Sequence, residues 1–85
     1  MNWQVVVSRS VIKQLKRIPR DDAERIQLII ETLAANPFAG DIEKLKAQED
    51  VWRRRIGSYR LFYVIHDEEH LIHVYEVERR TSHTY

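Results

Sequence analysis

The sequence predicts an α+β fold with the element order β-α-α-β-β-β, in which an antiparallel sheet carries a helical hairpin on one face. Two runs with helical periodicity lie in the first half of the chain, and three β-type runs separated by short turns lie in the second half. No repeat, low-complexity stretch or linker interrupts the 85 residues, so we expect a single domain over residues 1–85.

The first half of the chain predicts one strand and two helices. Residues 3–7 are a short β-type run that ends at Ser8, a residue suited to cap a helix. This helix ends before Pro19, since proline disfavours helical geometry in the residue that precedes it. The second helix begins within residues 19–22, and its apolar side chains recur at the i, i+3, i+4, i+7 spacing of a helix packed on one side: Ile26, Ile29, Ile30 and Leu33.

The second half predicts three strands, which occupy residues 51–56, 59–66 and 71–77. Gly57-Ser58 suits the two-residue turn of a hairpin, and the polar residues 67–69 suit the next turn. The middle run is apolar at nearly every position, so we expect a central strand covered on both faces. Residues 38–50 are expected to form a mixed loop that approaches the sheet.

Composition excludes several classes of protein. The chain has no cysteine, so disulfides and cysteine-based zinc sites are excluded and a cytoplasmic location is expected. No apolar run approaches the ~20 residues that cross a membrane, and we expect no signal peptide at the N-terminus. The net charge of +1 does not by itself indicate nucleic-acid binding. The distribution of the charges has to decide that question.

Arginine is concentrated in the second half of the chain. Ten of the fourteen basic residues are arginine, and four of them fall within residues 52–60. Side chains alternate along a strand, so Arg53 and Arg55 leave the same face, and Arg60 begins the partner strand across the turn. If the three converge on the face without helices, they form a cationic surface suited to a phosphodiester backbone. Further residues follow the last strand and are expected to close one edge: Arg79, Arg80 and Tyr85.

A simpler interpretation is that these arginines form surface ion pairs with Glu76 and Glu78. Arg54 fits this interpretation best, because strand alternation directs its side chain toward the helices. The histidines lack a carboxylate at a recognisable ligand spacing, so the sequence predicts no metal and no cofactor. His83 differs from the other three histidines, because it lies near the tail arginines in the sequence and can serve as a general acid beside a phosphate.

The stretch VWRRRIGSYRLFY, residues 51–63, resembles the V-W-R-x-R-x-G-x-Y-R-x-x-Y core of toxins of the RelE/ParE superfamily. The ending VERRTSHTY is similar to their arginine-then-tyrosine tail, and Lys44-Leu45 fits the K-L that precedes the core. The opening strand and two amphipathic helices match as well. The resemblance covers essentially the whole chain and implies one RelE-like toxin domain.

The resemblance implies the toxin of a bacterial type II toxin-antitoxin system. A RelE-type toxin is an endoribonuclease that cuts mRNA in the ribosomal A site through attack of a ribose 2′-OH on the adjacent phosphorus, which stops translation. A cognate antitoxin holds it inactive, so the resemblance implies a hetero-oligomer with that antitoxin and mRNA on the ribosome as a second partner.

The expected roles of the site residues, from the chemistry of the residues together with the resemblance, fall into two groups. The residues implied in RNA binding are Arg53, Arg55, Lys44, Lys46 and Arg80. The residues implied in catalysis are Arg60, Arg79, Tyr85 and His83. In the second group the arginines would stabilise charge on the phosphate, with Arg79 preferred over Arg80 for its spacing to the tail tyrosine, and Tyr85 would take the 2′-OH proton.

Two other functions remain open at this point. The superfamily also contains ParE-type inhibitors of DNA gyrase, which are not nucleases. The same fold can also serve as a catalytically silent module that binds RNA or a protein partner. Translation arrest with cleaved mRNA distinguishes the nuclease from both.

Overall fold

The computed structural model describes residues 3–45 and 50–79. The elements in chain order are β1 (Gln4–Val7), α1 (Arg9–Leu15), α2 (Arg20–Leu33), β2 (Ile42–Lys44), β3 (Val51–Ile56), β4 (Tyr59–His66) and β5 (Leu71–Arg79). The five strands form one sheet in the order β1-β5-β4-β3-β2. The predicted α+β fold with a helical hairpin on one face of the sheet is confirmed.

The sheet departs from the prediction at its two edges. β1 pairs with β5 in parallel, whereas the other neighbouring strands are antiparallel. β2 pairs with β3 within the segment expected to be a loop, and the Leu45 amide extends this pairing by donating to the Val51 carbonyl over 3.0 Å. A three-residue strand carries too little alternation to be read from sequence.

The core lies between the helical hairpin and one face of the sheet. Its buried residues from the helices are Val11, Ile26, Ile30 and Leu33. Those from the strands are Ile56, Tyr59, Leu61, Tyr63, Ile65, Ile72, Val74 and Val77. Alternate residues of the central strand β4 belong to this core, as the parity of its sequence requires.

The other face of the sheet carries no helix within the described part of the chain. We call it the open face, and strand register assigns to it, among others, Val6, Glu43, Val51, Arg53, Arg55, Arg60, Phe62, Val64, His73, Glu76 and Glu78. Tyr75 has no partner in the register and continues the alternation of His73 onto this face. β4 is central, as predicted, but Phe62 and Val64 are only half-buried. The expectation that β4 is covered on both faces is therefore wrong for the described residues.

Local chemistry explains the turns and helix starts. Gly57 has φ +60°, the left-handed conformation that glycine tolerates, in the predicted two-residue turn. Ser8 occupies the N-cap position of α1, but its hydroxyl makes no capping bond and lies 2.7 Å from His73 Nε2. Pro19 precedes α2, as predicted. Neither helix has the length and apolarity needed to cross a membrane, within the residues described.

Candidate functional site

Three arginines lie side by side on the open face. Arg55 is the direct cross-strand partner of Arg60, and Arg53 is the partner of Phe62, one row further along the sheet. All three leave β3 and β4 on the open face, so the convergence expected from strand alternation is confirmed. We call Arg53, Arg55 and Arg60 the arginine face.

Direct opposition of two like charges is unfavourable in a sheet, because Cβ atoms of cross-strand partners lie about 4.5–5.5 Å apart. Arg55 and Arg60 are in this position. Each is compensated by one carboxylate: Arg55 Nε lies 3.8 Å from Asp41 Oδ2, and Arg60 Nη1 lies 4.0 Å from Glu78 Oε1. The close approach of Arg55 and Arg60 is therefore stabilised by nearby anions.

Arg53 completes the arginine face from the outer row. Its guanidinium donates to the Glu43 carboxylate on β2, and 26% of the side chain is exposed. The pairing with Glu78 matches the simpler sequence interpretation in part, whereas the partners Asp41 and Glu43 were not expected. No sequence signal identified these two, since their proximity depends on the unpredicted strand β2.

These ion pairs are weak enough for a ligand to exchange them. Exposed pairs contribute about 0–1 kcal/mol each, because water screens them and two long side chains must be ordered. A phosphate offers an arginine a charge-assisted and bidentate contact, which is stronger than an exposed pair at 3.8–4.0 Å. The arginine face is thus suited to take a polyanion in place of its own carboxylates.

Arg54 and Lys44 lie on the opposite side of the sheet from the arginine face. Arg54 is on the helix side, as its parity predicts, and its Nη1 donates to the Ala39 carbonyl over 3.0 Å. A Cβ at Gly40, where φ is +92°, would overlap the Arg54 guanidinium. Lys44 is the partner of Trp52, and its Nζ lies 6.0 Å from the centre of that ring. The structure therefore does not bring Lys44 to the arginine face.

Arg79 also differs from the expected position. It is the partner of Tyr59 on the helix side, and its Cζ lies 5.8 Å from the centre of the Tyr59 ring. A bulge between Phe62 and Tyr63 inserts one extra residue into β5 and so exchanges the faces of the residues after Tyr75. Arg60 and Arg79 consequently point to opposite sides of the sheet.

A groove beside Arg79 lies on the helix side of the sheet, away from the arginine face. It encloses about 300 Å³ where the turn between α1 and α2 meets the end of β5. Its lining residues are Gln14, Arg17, Ile18, Pro19, Tyr59, Val77 and Arg79. Two arginines above an apolar floor suit an acidic and apolar segment of a partner better than an extended polynucleotide.

An aromatic row continues the open face beyond the arginines. The ring centres of Phe62 and Tyr75 are 6.3 Å apart, and those of Tyr75 and His73 are 6.5 Å apart. Burial raises the pKa of Tyr75, and the neighbouring Glu76 carboxylate adds to this effect, so the phenol stays neutral at physiological pH. The sequence offers Tyr59, Tyr75 and Tyr85 as candidates for stacking a base. Tyr75 lies on the open face, Tyr59 is buried in the core, and Tyr85 lies outside the described residues. The place of His73 in this row was not predicted.

The remaining histidines lie away from the arginine face. His66 and His70 are exposed at the ends of β4 and β5, and His70 stacks on Trp3 with ring centres 3.9 Å apart. Among residues 3–45 and 50–79, no three histidine, aspartate or glutamate side chains form a group that can hold a metal ion. Four of the predicted site residues lie outside the described residues: Lys46, Arg80, His83 and Tyr85.

Comparison with known proteins gives consistent matches across the chain. The model of the family described as ParE toxin of type II toxin-antitoxin system, parDE, matches residues 5–83. RelE1 of Methanocaldococcus jannaschii is 34% identical over 83 residues, which cover 94% of this chain and 92% of that protein. These matches span almost the full length of both sequences.

Solved structures share the fold. A chain of the RelE-RelB complex from Pyrococcus horikoshii OT3 matches with a TM-score of 0.86 and 24% identity, covering 98% of this chain and 100% of that one. A chain of the RelB-RelE antitoxin-toxin complex from Methanococcus jannaschii matches with a TM-score of 0.74 and 26% identity, covering 87% and 88%. These relatives are archaeal, so they do not support the bacterial source that the resemblance implies. On the strength of the family match and of RelE1, the chain belongs to the ParE toxin family of type II toxin-antitoxin systems.

Proposed function

We propose that residues 1–85 form a single RelE-like toxin domain that cleaves mRNA on the ribosome in the cytoplasm. The observation that carries the proposal is the direct opposition of Arg55 and Arg60 on the open face, with Arg53 in the next row. Like charges in this position favour a bound anion, and a phosphodiester backbone supplies several at a regular spacing. The family match supports the toxin assignment independently.

The reaction proposed is attack of a ribose 2′-OH on the adjacent phosphorus, with departure of the 5′-oxygen of the next nucleotide. Negative charge grows on the non-bridging and leaving oxygens, and preorganised cations at that place are the main catalytic device available. Arg60 is suited to this role, because its half-buried side chain is held at the centre of the sheet. Arg53 and Arg55 would hold the neighbouring phosphates.

Proton transfer needs a group other than arginine, whose pKa exceeds 12 and which therefore stays protonated. We assign removal of the 2′-OH proton to Tyr85, which corresponds to the tail tyrosine of the family, and donation to the leaving oxygen to His83, because it lies between the tail arginines and Tyr85 in the sequence. Arg80 and Lys46 would add phosphate contacts. Arg79 faces the helix side in the structure, so a contribution to the same phosphate would require its side chain to move around the end of β5.

We propose an antitoxin as the protein partner. The solved relative from Methanococcus jannaschii is a complex of toxin and antitoxin. In this chain, the groove between Arg17 and Arg79 offers two cations above apolar side chains, and Leu28 on α2 leaves 61% of its surface exposed. An acidic, amphipathic antitoxin segment fits these features. Hydrogen exchange on the purified complex should show protection of the helical hairpin formed by α1 and α2, or of the arginine face. Full exchange at both surfaces would refute this docking.

Mapping of mRNA ends after brief induction tests the nuclease. Wild type should produce new ends within codons at the ribosomal A site, and translation should stop at once. Arg60→Ala should reduce the cleavage rate by about 10²–10³-fold, the usual effect of removing one group that stabilises transition-state charge. The control is Arg20→Ala, because this exposed arginine lies on α2, away from the open face. Intact mRNA with ongoing translation would contradict the proposal.

Gyrase inhibition is the second candidate, because the matching family model is that of the ParE toxin. It predicts DNA damage and filamentation after induction, with no change in mRNA ends. The arginine face would then have no catalytic role, and Arg60→Ala would leave the damage unchanged. The same induction experiment therefore separates the two functions.

A further inference from the structure

The open face combines arginine side chains with aromatic rings that do not stack face to face on one another. Phe62 and Tyr75 meet at an interplanar angle of 45°, and Tyr75 and His73 meet at 53°, so none of the three rings stacks face to face with its neighbour. Phe62 and Tyr75 are half-buried, and the described residues place no helix above them. Their faces are therefore available to a flat ligand.

The bulge in β5 brings this arrangement about. Phe62 pairs with Glu76 and Tyr63 pairs with Val74, so Tyr75 is the extra residue that opposes no single partner. Tyr75 continues the alternation of His73 onto the open face, while Glu76 takes the position opposite Phe62, and the ring centres of Tyr75 and Phe62 are 6.3 Å apart. Without the extra residue, the sheet would have no second ring beside Phe62.

The aromatic pair lies next to the arginine face. Arg53 is the cross-strand partner of Phe62, at the usual strand separation of about 4.8 Å, and Arg60 precedes Phe62 by two residues on the same face, about 7 Å along β4. A nucleotide places a flat base and a charged phosphate within a similar distance of each other. The neutral phenol of Tyr75 adds no negative charge that would repel the phosphate.

We propose that Phe62 and Tyr75 form a nucleobase-binding site, in which one unpaired base of the RNA stacks while the phosphates on either side meet Arg53 and Arg60. This inference rests on the proposed ribonuclease function and assigns that site a second element of recognition. Stacking on an aromatic side chain is tolerant of sequence, because every base has a π-face. The site therefore holds the RNA strand in register and does not by itself select a base.

His73 supports the site without touching the base. Its Nε2 lies 2.7 Å from the Ser8 hydroxyl at the start of α1, which fixes the imidazole beside the Tyr75 ring. Val64 is the cross-strand partner of His73 and provides an apolar neighbour for the rings. The ring of Tyr75 is thus held between Phe62 on one side and an imidazole of fixed orientation on the other.

Kinetics on ribosome-bound mRNA test the site with two variants of one residue. Tyr75→Leu removes the ring and should raise KM by about 5–150-fold, the loss expected for one stacked base, with kcat unchanged. Tyr75→Phe keeps the ring and should restore the wild-type KM. A merely structural role would instead lower the unfolding temperature of the leucine variant and reduce the apparent kcat through loss of folded enzyme, with KM unchanged, which would overturn the proposal.

Photo-crosslinking separates the base site from the nuclease activity. The probe is single-stranded RNA with 4-thiouridine at each uridine, offered to the wild-type toxin both free and on ribosomes. Crosslinked peptides that contain Phe62 or Tyr75 support the base site, even if wild type fails to cut RNA and the nuclease proposal falls. Crosslinks only at other residues, or none, overturn the base site. Loss of antitoxin affinity in Tyr75→Leu with unchanged crosslinks also overturns it, because the rings would then bind the protein partner.

Discussion

The dependence of RNA binding on salt concentration gives a direct measure of the arginine face. Arg55 leaves 60% of its side chain exposed opposite Arg60, so Arg55→Gln removes one charge without opening the core. A protein that neutralises Z phosphates of a single strand gives a slope of about −0.7Z in a plot of log affinity against log salt concentration. Three arginines that each meet one phosphate contribute about −2 to this slope, in addition to the contacts of Arg80 and Lys46, and Arg55→Gln should make the slope less steep by about 0.7.

The assay is fluorescence anisotropy of a short single-stranded RNA with 2′-O-methyl riboses, which binds but cannot react, titrated at several KCl concentrations. The matched control is Arg20→Gln, since Arg20 Nε also lies 3.3 Å from a carboxylate oxygen, that of Glu24. This control should leave the slope unchanged. An unchanged slope in Arg55→Gln, or an equal change in Arg20→Gln, would refute the assignment of the arginine face to RNA phosphates.

Stability should respond differently from binding in the same variant. Loss of the exposed pair with Asp41 costs about 0–1 kcal/mol. Removal of the like-charge contact with Arg60 offsets part of this cost. The unfolding temperature of Arg55→Gln should therefore stay close to that of wild type. A large fall would mean that weaker binding reflects damage to the sheet.

Two further predictions concern the core. Leu33→Ala should lower the free energy of unfolding by about 2–5 kcal/mol in urea titrations, because this side chain is fully buried, whereas Leu28→Ala on the same helix should have little effect. Burial raises the pKa of Tyr63 from 10 to about 12, against the smaller lowering effect of Arg54. The folded state thus holds the phenolic proton more tightly than the unfolded state, and this contribution to stability is lost as the pH rises between these values. The stability advantage of wild type over Tyr63→Phe should shrink in thermal melts from about pH 9 to pH 12, and a constant difference would contradict this reasoning.

The sequence predicted strands correctly where the hydrophobic pattern and the turn residues agreed. The predicted bounds of β3 and β4 are those observed, because Gly57 fixes the hairpin turn and a β-type run lies on each side of it. Strand alternation placed Arg53, Arg55 and Arg60 together and sent Arg54 to the helices. Local rules suffice for these features, since a hairpin is formed by residues close in sequence.

Features that depend on distant residues were not predictable in this way. β2 exists because β3 offers an edge, and its Glu43 reaches Arg53 only after the sheet has formed. The parallel pairing of β1 with β5 joins the two ends of the sequence. The prediction for Arg79 was wrong because the bulge opposite Phe62 shifts the alternation of β5 by one residue. No residue type within β5 predicts this bulge.

The bulge also means that strand length controls orientation at the C-terminal end of the sheet. Val77 reaches the core and Glu78 reaches Arg60 only because the pairing with β4 passes over Tyr75. If Tyr75 paired regularly with Phe62, Val77 would turn outward and Glu78 would face the helix side. Deletion of Tyr75 should therefore disturb the end of β5 less than deletion of a paired residue, because it leaves the partners of Val77 and Glu78 unchanged.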